Sequence, residues 1–524
     1  MIKRIFSTIA VTAALLMSAS SCVGDLTVTP IDPNIVLPEE VLNSEAAFNA
    51  LLAKCYQGLA CSASDGEGSS PDISGVDGGY GQYLRAMFHL QCLATDEAVC
   101  CWNDNTLQDI HGLCWGSADV FVAAAYYRAF FQVGLCNEFI RKAQTAEVED
   151  FNHKDEWIAE ARALRLLSYY HAIDLFGNVP FFTEENSVGS QGPQQISRAD
   201  LWDWMVAECQ ELINGTDLKD APATEYGRIN REAVQMILAK LYLNAEIWKG
   251  ENHYEDCAKI CRDIKAKYPT LQANYLDLFS ADNHKCVISS TYSGKEIIFA
   301  VPQDGINIRS YGATNYIIFA STGDGMDAAA DMGISSGWGG LTLTKAFVDK
   351  FDENLDARAH FYTGYGKEIP DIMAYTSGGY KSMKYRNINA DGSSAQTDGF
   401  VDTDFPIFRT ADAYLMLAEC AARNAADKSE GLDALNAVRI RAGLAEVSEL
   451  TLQGIIDERA RELYHELVRR QDLVRFNQFT TADYLWDYKG KVKEGTAVDS
   501  KYNVYPLCSS DVNANPNLQQ NPGY

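Results

Sequence analysis

Basic residues are scarce in this 524-residue chain: 44 Lys and Arg stand against 71 Asp and Glu, a formal charge of −27. Nucleic-acid binding needs Lys and Arg to neutralise phosphates, so that class is excluded. Attachment to anionic lipid headgroups through a basic surface is excluded on the same ground. Apolar runs long enough to cross a bilayer, roughly 20 residues, are missing. Zinc-type cysteine spacing is missing too: Cys100 and Cys101 are adjacent, and no C-x-x-C pair occurs. His465-Glu466 opens like the H-E-x-x-H metal helix, but Arg469 takes the place of the second histidine. Gly78-Gly79-Tyr80-Gly81 is no dinucleotide fingerprint, because Leu84 stands where its last glycine belongs. Gly333-Ile334-Ser335-Ser336-Gly337 spells G-x-S-x-G, yet it lies between Ala-rich and Gly-rich stretches and not between a strand and a helix. No catalytic constellation survives its context, so the chain reads as a non-enzyme.

What is present starts at the N-terminus. Lys3 and Arg4 precede an apolar run from Ile5 to Met17, then Ser18-Ala19-Ser20-Ser21, then Cys22. Positive, apolar and small-residue zones in that order describe a signal peptide over 1–21. A cysteine directly after the small residues resembles the bacterial lipobox, in which the thiol is acylated and becomes the new first residue. Residues 22–43 carry Pro30, Pro33 and Pro38 and read as an extended tether. With Cys22 set aside, the other 13 of the 14 cysteines cannot all pair within one chain. Cys257, Cys261 and Cys420 fall within predicted helices and read as small buried residues.

The body, 44–524, reads as a single domain that is mostly α. Helical periodicity predicts a scaffold over about 44–60, 119–268 and 410–479. Individual helices are expected near 119–145, 155–176, 198–214, 230–248, 254–267, 410–424, 429–442 and 451–479. In the last of these, Asp457–Arg461 and Glu466–Arg470 stand at ion-pair spacing, and Ile456, Ala460, Leu463, Leu467 and Val474 share a face. Residues 61–118 and 270–405 are rich in Gly, Ser, Asn, Asp and Tyr. They predict an irregular lobe with a few short strands, with apolar runs at 296–301 and 316–320. Successive helices of this length resemble tetratricopeptide pairs.

Several stretches together resemble the SusD/RagB family of nutrient-binding outer-membrane lipoproteins. They are Ala159–Arg165 with Asp174–Pro180, Leu435–Gly443, Glu458–Glu462 with Arg470 and Asp472–Phe476, and the C-terminal Asn515–Tyr524. The resemblance implies tetratricopeptide-like helix pairs under a loop-rich binding lobe. It also implies a lipid anchor on Cys22 at the outer membrane, facing the cell exterior, and a TonB-dependent SusC-like porin as partner. Thr95-Asp96-Glu97, Gln303-Asp304-Gly305, Arg309–Gly312, Gly337-Trp338 and Tyr484–Asp487 are similar to starch-binding segments within that family. By that likeness Trp102, Tyr311 and Trp338 form an aromatic arc with Arg85 and Asn105 as polar partners, and the ligand is an α-glucan. Another glycan or a peptide on the same scaffold is the alternative, and a glycoside hydrolase a more distant one. Asp402-Thr403-Asp404 resembles a region that holds structural calcium in such proteins, and alternating carboxylates suit that ion. Cys100 replaces an expected aromatic, and the loop over 284–294 is longer than its counterpart.

The chemistry of the arc agrees with such a ligand. A sugar ring has an apolar C–H face and a polar rim. Trp and Tyr offer flat apolar area with little entropy to lose. Arg and Asn supply the donors and acceptors that read hydroxyls.

Overall fold

The computed structural model describes residues 41–63, 66–67, 70–104, 106–186, 192–373 and 378–524. The signal segment, Cys22, the tether up to residue 40, and Asn105 lie outside the described residues. The chain forms a small unit, Met1–Asn49 with Ala146–Asn152 and described from Val41 onward, and a large unit, Ala50–Thr145 with His153–Tyr524.

Helices begin where the sequence offers a cap. Helix α1 is Glu45–Ala60, and Ser44 Oγ accepts from Ala47 N–H at 3.4 Å. Helix α2 is Tyr83–Phe88, and helix α3, Val120–Gln144, is capped by Asp119 through Phe121 and Val122 N–H. Helix α4, Lys154–Phe176, stops at Gly177, whose φ of +69° a side chain would resist. Helix α5, Arg198–Asn214, and helix α6, Arg231–Leu243, are capped by Ser197 and Asn230. Helix α7 is Tyr254–Lys267, α8 is Ala313–Ser321, α9 is Thr410–Ala422 and α10 is Lys428–Arg441. Helices α11, Leu452–Leu463, and α12, Arg469–Arg475, follow. The helices pack as neighbours in series, α3 on α4, α5 on α6, α6 on α7 and α9 on α10. Helix α4 sits so deep that Glu160, Arg165 and Asp174 are buried along with its apolar residues. Arg165 pairs with Glu208 at 2.9 Å, and Asp174 with Arg470 at 3.3 Å.

The strands of the lobe are short and pair two by two, all antiparallel. Strand β1 is Ala98–Cys100, β2 is Val179–Phe181, β3 is Gln194–Ile196 and β4 is Ile297–Val301. Strand β5 is Leu341–Leu343, β6 is Phe361–Tyr362, β7 is Lys381–Ser382 and β8 is Phe405–Arg409. The pairs are β1–β5, β2–β3, β4–β8 and β6–β7.

Two expectations are corrected. The run at 316–320 belongs to helix α8 and not to a strand or loop. The helix expected over 451–479 is broken at 464–468, where His465 and Leu467 adopt φ of +60° and +64°. Its two expected ion pairs do not form. Asp457 instead meets Lys350 at 2.7 Å, and Arg461 meets Glu458 at 2.6 Å. Glu466 turns inward to Lys384 (2.6 Å) and Arg409 (2.7 Å), and Arg470 turns to Asp174. The cause is a buried charge cluster. Arg409 also binds Glu296 and Glu462, Glu462 is shared with Arg441 and Arg358, and these groups are almost fully buried. A straight helix would have left Glu466 and Arg470 on its surface and the Arg409 guanidinium short of an acid. A buried cation without its acid is far costlier than two strained residues.

The 13 cysteines from Cys55 to Cys508 are free thiols, all but Cys114 buried. Cys257 and Cys261 stand with sulfurs 3.9 Å apart on α7, packed as apolar residues.

Candidate functional site

Two of the predicted site residues, Trp102 and Trp338, come together through the β1–β5 ladder. Cys100 pairs with Leu341, so the chain leaving β1 runs beside the chain entering β5. Cys101 N–H donates to Gly340 O at 2.9 Å, and the Trp102 indole N–H donates to Gly339 O at 3.0 Å. Trp102 and Trp338 thereby sit with ring centroids 6.4 Å apart. Gly340 permits this approach. Its φ is +99°, and a Cβ there would lie 2.1 Å from Trp102 Nε1. Helix α8 holds the other side, since Trp338 N–H donates to Phe319 O (2.7 Å) and Gly339 N–H to Thr322 O (2.9 Å).

Tyr311 lies 6.0 Å from Trp338, so Trp102, Trp338 and Tyr311 form one continuous series of rings. Trp102 and Trp338 are half-buried, and Tyr311 is exposed. A fourth ring extends the series: Phe400, half-buried, is 5.6 Å from Tyr311, with the Arg309 guanidinium 5.8 Å above it. Sequence reasoning missed Phe400 because it sits in a polar Gly- and Asp-rich stretch with no periodicity to reveal it.

Arg85 lies beneath the rings. Its guanidinium is 4.2 Å from the Tyr316 centroid and 5.7 Å from that of Trp102, and Nη1 donates to Tyr311 O at 3.0 Å. Burial lowers its pKa. Its Nε is buried and has no hydrogen-bond partner among the described residues. Asn105, the other predicted polar partner, lies outside the described residues.

Gln82 builds the corner under Arg85, and nothing in the sequence announced it. Its Oε1 accepts from Arg85 N–H (2.9 Å) and Ala313 N–H (3.1 Å), and its Nε2 donates to Leu59 O (2.7 Å). One buried amide thus caps both α2 and α8. Gly312 is required beside it, because a Cβ there would lie 2.2 Å from Gln82 Oε1.

Other quoted segments prove to be foundation. Asp96 is held in two-pronged fashion by Arg469 (2.7 and 2.8 Å) and accepts from Tyr484 OH at 2.7 Å. Glu97 accepts from His465 N–H at 3.2 Å. Burial, reinforced by the Asp96 charge, pushes the Glu97 carboxyl up to about 8. Cys100 is buried in β1, and the ring beneath Trp102 is supplied by Tyr316, 5.9 Å away.

Comparison with known proteins places this architecture. Residues 358–524 match the sequence model of the SusD family. Across its whole length the chain is 30% identical to the starch-binding protein SusD of Bacteroides thetaiotaomicron, covering 99% of that protein. The chain belongs to the SusD family. The SusD-like protein P25 of Formosa agariphila is 28% identical over 61% of this chain and 63% of its own length. Among solved structures, a SusD superfamily protein from Parabacteroides distasonis superposes with a TM-score of 0.70 at 21% identity, covering 92% of this chain and 99% of its own. Surface glycan-binding protein A of Bacteroides thetaiotaomicron, in complex with laminarihexaose, gives 0.67 at 19% identity over 91% and 100%. Both share the SusD fold.

The acidic pair of this SusD-family chain serves the lobe's backbone. Asp402 accepts from Gly305 and Gln396 N–H, at 2.9 and 2.8 Å. Asp404 accepts from Gln303 N–H (2.9 Å) and Tyr226 OH (2.6 Å). Burial pushes the Asp404 carboxyl up to about 7. His284 lines the same cavity as Asp402. Among the described residues no group of three or more His, Cys, Asp or Glu is placed to hold a metal. Asp402 and Asp404 anchor the 303–305 turn through its backbone N–H groups.

The enzyme-like motifs also lose their context. Ser335 N–H and Oγ both donate to Asp398 O, in a loop with no strand before it or helix after it. His465 lies at the break after α11, buried, with neither ring nitrogen hydrogen-bonded. Among the described residues no helix is long and apolar enough to cross a membrane.

Proposed function

We propose that this protein captures a starch-like α-glucan on the ring series Trp102–Trp338–Tyr311, with Arg85 and Asn105 as polar contacts, without cleaving it. The single observation that carries the reading is the continuity of those rings, 6.4 and 6.0 Å apart. Successive rings tilted by 51° and 59° turn gradually, which suits a ligand with curvature of its own, as an α-1,4 chain has. The name of the starch-binding relative supports the same ligand class. Phe400 extends the surface at one end. The thiol of Cys22 carries the lipid anchor at the outer membrane, with the body outside, and a TonB-dependent porin receives the captured glycan.

Calorimetric titration of the lipid-free protein with maltooligosaccharides tests the ligand. Trp102→Ala and Trp338→Ala are each expected to weaken binding by about 2 kcal/mol, roughly 30-fold, with the melting transition kept. Unchanged affinity in both variants sinks the assignment. Incubation with starch is expected to release no new reducing ends, and sustained release would make the protein a hydrolase.

A further inference from the structure

A cavity of about 900 Å³ opens along helix α3, away from the ring series. Its wall is aromatic, with Tyr127, Phe130 and Phe131 from α3 and Phe182 just after β2. Phe130 and Phe182 lie 6.4 Å apart, about the spacing found in the platform itself. The size falls within the range of small-ligand sites.

Three observations define what fits. First, Arg141, the basic residue of the described lining, is paired with Glu138, and the further acid, Asp511, accepts from the Tyr126 hydroxyl at 2.5 Å, so an anionic ligand is disfavoured. Second, amide and hydroxyl side chains, Asn186, Gln194 and Thr183, interrupt the rings, as a hydroxyl-rich molecule requires. Third, the Phe182 backbone at the cavity wall is already hydrogen-bonded and offers no ladder to an extended peptide. Strand β2 is paired with β3, Phe182 N–H donates to Tyr169 OH, and Phe182 O accepts from Asn137.

Buried rings packed in series lie between the cavity and the platform. Phe121, at the start of α3, packs on His89 at 5.0 Å, and His89 packs on Tyr316 beneath Trp102. From Phe121 to Phe130 the helix advances about 14 Å. The loop at 70–82 spans the same gap, with Ile73 at the cavity and Gly79 beside Arg85.

We infer that this cavity is a second carbohydrate subsite, filled by a later stretch of the same glycan chain that occupies the ring platform. The inference rests on glycan binding at that platform. Two linked subsites raise the affinity for long chains without changing that for short ones.

Gly134 supplies a clean test. It lies in the cavity wall on α3, and a Cβ built there meets no atom within 4 Å. Gly134→Trp therefore fills the cavity without displacing the helix. The probes are maltotriose and a soluble, long α-1,4-glucan, titrated against full-length lipid-free protein. The wild type is expected to bind the long chain at least about tenfold tighter than the trisaccharide. Gly134→Trp and, separately, Phe130→Ala should remove that gain and leave the trisaccharide affinity unchanged. Equal affinity of the wild type for both probes overturns the subsite, as does a long-chain gain that survives in both variants. If an aromatic-rich peptide binds the wild type and Gly134→Trp blocks it with glucan binding unaltered, the cavity is a polypeptide site and the inference fails. Trp102→Ala separates the two levels: loss of trisaccharide binding upholds the platform whatever happens in the cavity.

Discussion

Gly340 and Glu97 show how much of this site is decided one side chain at a time. Gly340→Ala would push a methyl group into the Trp102 indole in a backbone conformation that disfavours it. The expected outcome is loss of the Trp102–Gly339 hydrogen bond and weaker glycan binding, seen as a changed indole environment in tryptophan fluorescence together with the titration. Glu97 acts through protonation. Its folded pKa, about 8, lies above the ordinary carboxylate value, so its contribution to stability is complete below roughly pH 4.5 and fades as pH rises through 8. Glu97→Gln should therefore gain stability relative to the wild type between pH 5 and pH 8, measured by urea unfolding at several pH values. Parallel profiles for the two proteins would contradict a neutral Glu97. Neither residue could be read in this way from sequence. Gly340 is one of three glycines around Trp338, and the burial of Glu97 depends on His465 and Arg469, far along the chain.

At the level of elements, amphipathic pattern and caps located most helices of the scaffold to within a residue or two. Asp119, Ser197 and Asn230 cap where the sequence placed starts, and Gly177 stops α4. The break between α11 and α12 was illegible, because local periodicity continues through it. Its cause, the meeting of Glu462 and Glu466 with Arg409, Arg441, Arg358 and Lys384, is assembled from strand β8, the end of helix α10 and turns elsewhere in the chain. Helix α8 was missed for a related reason: it is buried on every side and shows no polar face to set a period. Three buried guanidinium groups hold the Glu462 carboxyl well below the usual carboxylate range. Glu462→Gln is expected to cost about 3–5 kcal/mol by leaving those cations undercompensated. Chemical denaturation would show the loss, and a cost under about 1 kcal/mol would mean the cluster relaxes around the change.

Across the whole molecule, buried polar chemistry takes a larger share of cohesion than composition suggests. The family segments read from sequence carry much of it. Arg165, Asp174, Arg459, Asp472 and Arg475 are all buried and paired. Asn521 of the C-terminal segment donates to Phe176 O and Tyr505 O. These ties give such segments a structural role in the scaffold. The thiols contribute only as apolar volume. The melting temperature should accordingly be the same with and without a strong reductant, and a clear drop on reduction would reveal a cross-link among the cysteines.

The ladder joining β1 to β5 has only three rungs, yet it acts as a ruler. Side chains alternate along a strand, so a slip of one rung would turn Trp102 toward the interior and strand its indole N–H. Spacing between the two tryptophans can therefore change only by abrupt steps that wreck the platform, never by degrees. The loops at 284–294 and 394–400 are held only by isolated bridges such as Ile288–Ser293 and Ile388–Ser394. Over generations a lineage built on this plan can exchange one sugar polymer for another by redrawing those edges while the gap between its two tryptophans stays fixed.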